Sequence, residues 1–437
     1  MRTKIIGITM TPGVTNEAHI PFIPDAEIQI DQQRIVYAGA QDNAPAFLAD
    51  EVIDGKGALA MPGLCNLHTH TPMTLLRSIG SDLTLEHWLH EAIFPVEKHL
   101  NDASVRAGTD LGILEMLRFG TTSFNDMYMH MDQVAQGVRD SGMRAMLGHG
   151  VVDFDESCAD LQPGLELAKK WHKAANDRIR VSIAPHSEGA TTQKLLEHVL
   201  TAAQELSLPI HIHVSETKLD RDESLERRGL TPPFYLEKLG LLKNPMMAAH
   251  CVWMSDEDIA LFAKRGVTIV HNPISNLKLA SGVAPIAKML KAGCKIALGT
   301  DGVASNNNLN LWEEIKLMPM LQKGITLDPT VISPAQVIAS ATSVGAKALG
   351  YDDLGLLKAG YLADLILVDI SGAHLCPSND LESDLVYCTQ GSDVRLTMVD
   401  GKVLYRDGQY TTLDPKTVLA RAKEETQQLF ERANAAK

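Results

Sequence analysis

The sequence has no Cys-x-x-Cys pair, no repeat of fixed short period, no low-complexity tract and no excess of positive charge. Its N-terminus, Met1 to Gly13, holds only a short apolar stretch before a proline and a glycine, which argues against a secretory signal or a membrane span there. A cytoplasmic location is the resulting expectation. The six cysteines are scattered and lack a secretory context, so they are expected to be reduced core thiols rather than a disulfide framework. Cys65 and Cys251 lie near candidate ligands, but thiolate ligands ordinarily come in sets. A formal charge of −14 would repel phosphate backbones. Neither nucleic acid nor a membrane is therefore an expected partner, and an uncharged or zwitterionic small molecule fits better.

What is present is ordinary globular composition, with 45% hydrophobic and 22% charged residues over 437 positions. That length suits one large domain with an accessory layer. Residues 1–60 alternate in strand fashion, with Ala26 to Ile30 and Arg34 to Tyr37 flanking a polar turn. Similar patterns return at Asp364 to Asp369 and in Leu396 to Val399 and Lys402 to Tyr405, joined by the favoured hairpin turn Asp400-Gly401. Residues 1–60 and 361–410 are thus expected to form one composite β-domain, a small sandwich. A charged amphipathic helix is expected over 415–437.

Between them, over 61–360, eight short apolar runs alternate with segments of helical period. The runs are Ala60 to Leu64, Thr121 to Asn125, Met143 to Gly148, Ile179 to Ala184, Pro209 to His213, Met246 to His250, Val267 to His271 and Lys295 to Gly299. Helices are expected at Lys194 to Leu206, Asp256 to Lys264 and Pro334 to Leu349, the last with Ser333 as N-cap. Strands alternating with helices give parallel βα units, and eight of them predict a (β/α)8 barrel of the α/β class.

Catalytic groups in such barrels sit where strands exit at their C-terminal ends. The first run leads to His68-Thr-His70, whose spacing of two puts both imidazoles on one strand face, close enough to share an ion. The fifth ends in His211-Ile-His213 with Glu216 beyond, the sixth in His250, and the eighth in Gly299-Thr-Asp301-Gly302. Each alone has an ordinary reading: a packed core histidine, or an aspartate in a turn. Their recurrence at the same end of several strands points to a metal site.

These residues, with Met61 to His70, Thr74 to Arg77, Glu86 to Leu89, Pro95 to Glu97, Ala184 to Ser187, Ala249 to Cys251, His271 to Lys278 and Leu298 to Asn306, resemble the amidohydrolase superfamily. Within it, the sequence resembles the 5-methylthioadenosine/S-adenosylhomocysteine deaminase family over essentially its whole length. The resemblance implies hydrolytic deamination of an adenosine derivative to the inosine analogue plus ammonia. The implied substrate is 5′-methylthioadenosine, S-adenosylhomocysteine or adenosine. The superfamily's second metal is commonly bridged by a carboxylated lysine on the fourth strand. Here that strand leads to His186, and Lys194 falls in the next helix. One divalent ion is therefore expected, held by His68, His70, His213 and Asp301 with a position left for water. Nitrogen and oxygen ligands suit zinc, with iron an alternative.

By the same resemblance, the ion would bring the pKa of its water towards about 7. Glu216 would protonate the ring nitrogen beside the amino-bearing carbon, and His250 would orient or deprotonate the water. Asp301 would pass a second proton to the departing ammonia. Glu97, His186, Glu216 and Asp301 would contact the substrate, with Trp88 as an apolar wall. Members of the family often pair, so a homo-oligomer is one option.

Members that accept S-adenosylhomocysteine can hold its carboxylate with arginines after the third strand. In this chain His149 to Asp160 contains neither arginine nor lysine and is acidic. An uncharged tail such as methylthio is the expectation. The alternatives are the same metal site acting on a guanine, cytosine or triazine ring, or a non-catalytic relative.

Overall fold

Alternating segments from the two ends of the chain pair into one sheet. The computed structural model describes residues 1–15 and 18–435. Nine strands make this sheet: Arg2–Met10, Ile23–Asp31, Arg34–Ala40, Glu51–Asp54, Leu59–Pro62, Leu365–Val368, Val394–Val399, Lys402–Arg406 and Gln409–Tyr410. Leu59–Pro62 joins the two ends, running parallel to Arg2–Met10 and antiparallel to Leu365–Val368. Ile5, Ile28 and Ile30 from one half share a core with Leu365, Leu367 and Met398 from the other. The edge strand Arg34–Ala40 bridges to Leu362, so the expected sandwich is one sheet curled over its own apolar face. At Asp400-Gly401 both residues have positive φ, 54° and 73°, as a two-residue hairpin turn of this kind requires.

Eight parallel strands form the barrel: Leu64–Thr69, Thr121–Tyr128, Arg144–Val151, Ile179–Val181 continuing as Ala184–Pro185, Ile210–Val214, Met246–His250, Thr268–His271 and Lys295–Leu298. Bridges Ile183 to Ile210 and Ser187 to His213 join the fourth strand to the fifth. The ring closes where Asp301 N–H donates to the His68 carbonyl at 2.9 Å and Thr300 N–H to Asn66 Oδ1 at 3.0 Å. Thr121–Tyr128 is buried along its whole length. Each large apolar side chain so removed from water contributes about 1.5–3 kcal/mol.

Two local expectations differ from the structure. The run Ala60 to Leu64 is split: Leu59–Pro62 belongs to the terminal sheet, and the first barrel strand begins at Leu64. Pro62 has no N–H to donate, and Gly63 lies where a Cβ would come within 2.2 Å of Thr122, so this pair carries the chain from one sheet to the other. The helix expected over Pro334 to Leu349 is two, Pro334–Ala341 and Ser343–Ala348, broken at Thr342. The break lets Gly345 sit against Cys65 and Leu67, where a Cβ would be 2.5 Å from Leu67 Cδ2.

The helices at Gln193–Leu206 and Asp256–Arg265 form as expected, capped by the Thr192 and Ser255 side chains. The last helix covers Pro415–Ala435, and positions 436 and 437 lie outside the described residues. Arg144, at the start of the third barrel strand, ties the barrel to the terminal sheet. Its guanidinium grips Asp364 at 2.8 and 3.1 Å and reaches Asp400 at 3.4 Å. Of the cysteines, Cys65, Cys251 and Cys294 are core thiols, while Cys158 and Cys388 are half-buried and Cys376 is exposed. Among the described residues no helix is long and apolar enough to cross a membrane.

Candidate metal centre at the strand exits

The period of two along Leu64–Thr69 places His68 inside the barrel, with His70 just beyond the strand on the same side. Their Nε2 atoms lie 3.5 and 3.3 Å from one oxygen, Asp301 Oδ1. Two ligands each about 2.1 Å from a tetrahedral ion stand about 3.4 Å apart, so this spacing suits a shared metal. His213 and His250 close the other side, with ring centroids 4.8 and 5.4 Å from that of His68. His68, His70 and Asp301 form one group of ligand atoms within 4.8 Å of one another, and His68, His213 and His250 form a second.

Hydrogen bonds on the far side of each ring fix which nitrogen is free. His70 Nδ1 lies 2.5 Å from the Met127 carbonyl and His213 Nδ1 2.6 Å from the His186 carbonyl. A carbonyl only accepts, so Nδ1 carries the proton and Nε2 turns its lone pair inward. His68 Nδ1 contacts His211 Nε2 at 3.0 Å, and the buried His68 Nε2 has no hydrogen-bond partner. Burial lowers the His68 pKa to about 3, keeping the neutral ring that a metal ligand must be. Burial also pushes the Cys65 thiol up to about 12 and that of Cys251 well above its ordinary value, so neither is a ready thiolate.

Asp301 leaves the eighth strand in the left-handed region, at φ 63°, and His250 ends the sixth at φ 71°. Such conformations cost about 1–3 kcal/mol each in residues with a side chain and concentrate at functional sites. Burial alone would raise the Asp301 carboxyl. The imidazoles of His68, His70 and His250 packed around it hold it well below the carboxylate range. Ser275 and Ser305 donate to its Oδ2 at 2.6 and 3.1 Å.

Glu216 stands beside this cluster, its Oε2 3.6 Å from His250 Nε2 and its Oε1 3.3 Å from the Ser281 hydroxyl. Burial raises the Glu216 carboxyl, partly offset by His250, so it holds a proton more readily than an exposed glutamate. Burial would lower His250, but the Glu216 and Asp301 charges raise it on balance. The pair has the composition of a proton-transfer site.

Of the remaining expected residues, Glu97 and His186 lie beside the centre. Glu97, at the end of Phe94–Glu97, accepts the Tyr128 hydroxyl at 2.5 Å, and the Tyr128 ring is 6.2 Å from that of His70. His186 leaves the fourth strand with its ring 4.5 Å from that of His213 and its side chain exposed. Trp88 is buried in the main core, its indole N–H donating to the Ile79 carbonyl at 3.1 Å.

In the acidic segment, Asp160 is engaged by His149 at 3.1 Å and by Val152 N–H at 2.9 Å. Asp153 accepts the Thr192 hydroxyl at 2.5 Å. The segment has no cation of its own, but Lys194 from the following helix reaches the Glu156 carbonyl at 2.9 Å. Several neighbours of these side chains escaped the sequence reading. They include Tyr128 on Glu97, Asn276 on His250 at 2.8 Å, and Asp126, which accepts from Thr71 N–H at 2.9 Å and whose carboxyl burial pushes up to about 6. Asn276 and Ser275 lie within His271 to Lys278, but nothing in their spacing shows what they touch.

The amidohydrolase family model matches residues 59–404. A 5-methylthioadenosine/S-adenosylhomocysteine deaminase of Moorella thermoacetica is 45% identical over 403 residues, 92% of this chain and 94% of that protein. A 5′-deoxyadenosine deaminase of Methanothermobacter thermautotrophicus is 44% identical, over 86% of this chain and 88% of its own length. Among solved structures, an adenosine deaminase of Xanthomonas campestris with bound zinc superposes with a TM-score of 0.93 at 32% identity, covering 98% of both chains. An atrazine chlorohydrolase of Arthrobacter aurescens in complex with zinc gives 0.90 at 25% identity, covering 97% of this chain and all of that one.

Proposed function

The chain belongs to the amidohydrolase family, and on that footing we propose that it is a metal-dependent hydrolase that deaminates adenosine derivatives. Water replaces the amino group on the purine ring, giving the inosine analogue and ammonia. The observation that carries the reading is the meeting of His68, His70 and Asp301 at metal-ligand spacing beside the Glu216–His250 pair.

One divalent ion is the proposed cofactor, zinc in preference to iron, held by His68, His70, His213 and Asp301. When bound, it would act as a Lewis acid and make a water acidic near neutral pH. The protein's own groups then manage the protons. Glu216 delivers one to the ring nitrogen next to the reacting carbon, which relieves the charge that addition to an aromatic ring builds there. His250 orients or deprotonates the water through Nε2, the nitrogen that faces Glu216. Asp301 takes the second proton and hands it to the leaving ammonia.

Glu97 and His186, on the second- and fourth-strand sides of the centre, hydrogen-bond the ribose, with Trp88 as an apolar wall. An uncharged 5′ tail is favoured, since the segment His149 to Asp160 is acidic and supplies no arginine or lysine of its own.

The test is metal analysis of the purified protein together with a deamination panel. The panel holds 5′-methylthioadenosine, 5′-deoxyadenosine, adenosine, S-adenosylhomocysteine, guanine, cytosine and a chlorotriazine. It is followed by ammonia release and by the ultraviolet change from adenine to hypoxanthine. Turnover of the adenosine derivatives, with methylthioadenosine ahead of S-adenosylhomocysteine, is expected. Turnover confined to guanine, cytosine or the triazine sinks the substrate assignment. A protein that neither holds nor can be reloaded with metal sinks the enzyme reading.

A further inference from the structure

The segment His271 to Lys278 leaves the seventh strand as a short helical turn, Pro273–Lys278, and supplies no proposed ligand or proton carrier. Two consecutive side chains on it nevertheless contact both groups assigned to proton transfer around the water. The Ser275 hydroxyl donates to Asp301 Oδ2 at 2.6 Å. Asn276 Oδ1 stands 2.8 Å from His250 Nδ1, nearer than the Asn272 amide nitrogen at 3.4 Å, and an amide oxygen only accepts, so Nδ1 carries the hydrogen. Ser275 and Asn276 are both buried, at 0% and 1% exposure. Asn276 Nδ2 has no partner, so the residue engages its surroundings here through its oxygen.

The turn is itself clamped. Ile274 N–H donates to the buried Glu314 carboxyl at 3.2 Å, and the other oxygen of Glu314 accepts from Asn306 Nδ2 at 2.6 Å. Lys278 Nζ donates to the Ala304 carbonyl at 3.0 Å. The turn is thereby bolted to residues 304–306, just past Asp301.

Resting on the reaction proposed above, we infer that Ser275 and Asn276 are positioning residues: Asn276 sets the His250 tautomer with Nε2 facing Glu216, and Ser275 turns Asp301 so that Oδ1 faces the imidazoles. Glu314 holds the turn that carries them. Outer hydrogen-bond partners of side chains at a metal site are typically worth 10–100-fold in metal affinity or activity.

The experiment uses the metal-loaded enzyme and its Asn276→Ala, Asn276→Asp and Ser275→Ala variants, with Asn276→Ala also made in a His250→Ala background. Asn276→Ala is expected to lower kcat 10–100-fold while KM and metal content hold, and Asn276→Asp, which keeps the acceptor, to recover most of that loss. In the His250→Ala background the same change is expected to cost little more, because the group it positions is gone. Nitrogen-15 spectra of histidine-labelled protein supply a readout independent of turnover, with the His250 Nδ1–H form dominant in the parent and mixed in Asn276→Ala. An equal loss of kcat in both backgrounds, or an unchanged tautomer in Asn276→Ala, overturns the inference. An unsubstituted enzyme that turns over none of the panel would defeat the proposed function instead, leaving the tautomer measurement to judge the positioning.

Discussion

Replacing Glu216 with glutamine removes one ionisable proton and almost nothing else. The side chain keeps its volume and its contact with Ser281 at 3.3 Å, and it stands 3.6 Å from His250 without belonging to either ligand group. Metal content and nucleoside binding should therefore persist. The lost property is the proton that burial helps this carboxyl to hold. A positioned general acid contributes about 10²–10⁴ in rate, which corresponds to about 2.7–5.5 kcal/mol of barrier. Glu216→Gln is accordingly expected to lower kcat by that factor with KM and metal stoichiometry close to those of the parent. The assay is initial rates of the ultraviolet change with 5′-methylthioadenosine, paired with metal analysis of the same preparation. A variant that keeps kcat within about tenfold would show that ring protonation does not depend on Glu216. Loss of the ion would assign Glu216 to metal binding instead.

His68→Asn deletes the nitrogen at the centre of both ligand groups, so it is expected to abolish metal retention and turnover together, read by metal analysis and ammonia release. Chelation of the parent should do the same, and zinc should restore both activity and thermal stability, because a ligand that binds only the folded state stabilises it. Glu97→Ala, at the rim on Tyr128, is expected to raise KM for nucleosides more than it lowers kcat. Equal effects on free base and nucleoside would argue against a ribose contact. Arg144→Ala strands the buried Asp364 carboxylate. Breaking such a pair costs about 3–5 kcal/mol, seen as a lower denaturant midpoint with the metal site unaltered.

Much of this protein follows from periods of two and of about 3.6 along the chain. The alternation at His68 and His70 puts both rings on one strand face, and the recurrence of strand and helix patterns implies the barrel. Thr192, Ser255 and Ser333 start their helices because a side-chain oxygen meets a backbone N–H only three residues away. These are local interactions, and a local pattern reports them.

The rest depended on contacts between distant positions. The Pro62-Gly63 crossing and the break at Thr342 exist because Gly63 meets Thr122 and Gly345 meets Leu67, neighbours that no local window contains. Closure of the barrel brings Asp301 to the His68 backbone, 233 residues away, and so decides that the carboxylate and the imidazoles share one space. The same closure chose the partners that tune the site: Tyr128 for Glu97, Asn276 for His250, Ser275 for Asp301. Residue type and spacing determined which groups were available for chemistry. Tertiary packing decided which hydrogen bond each one makes, and with it which nitrogen is free and which carboxyl binds its proton more tightly.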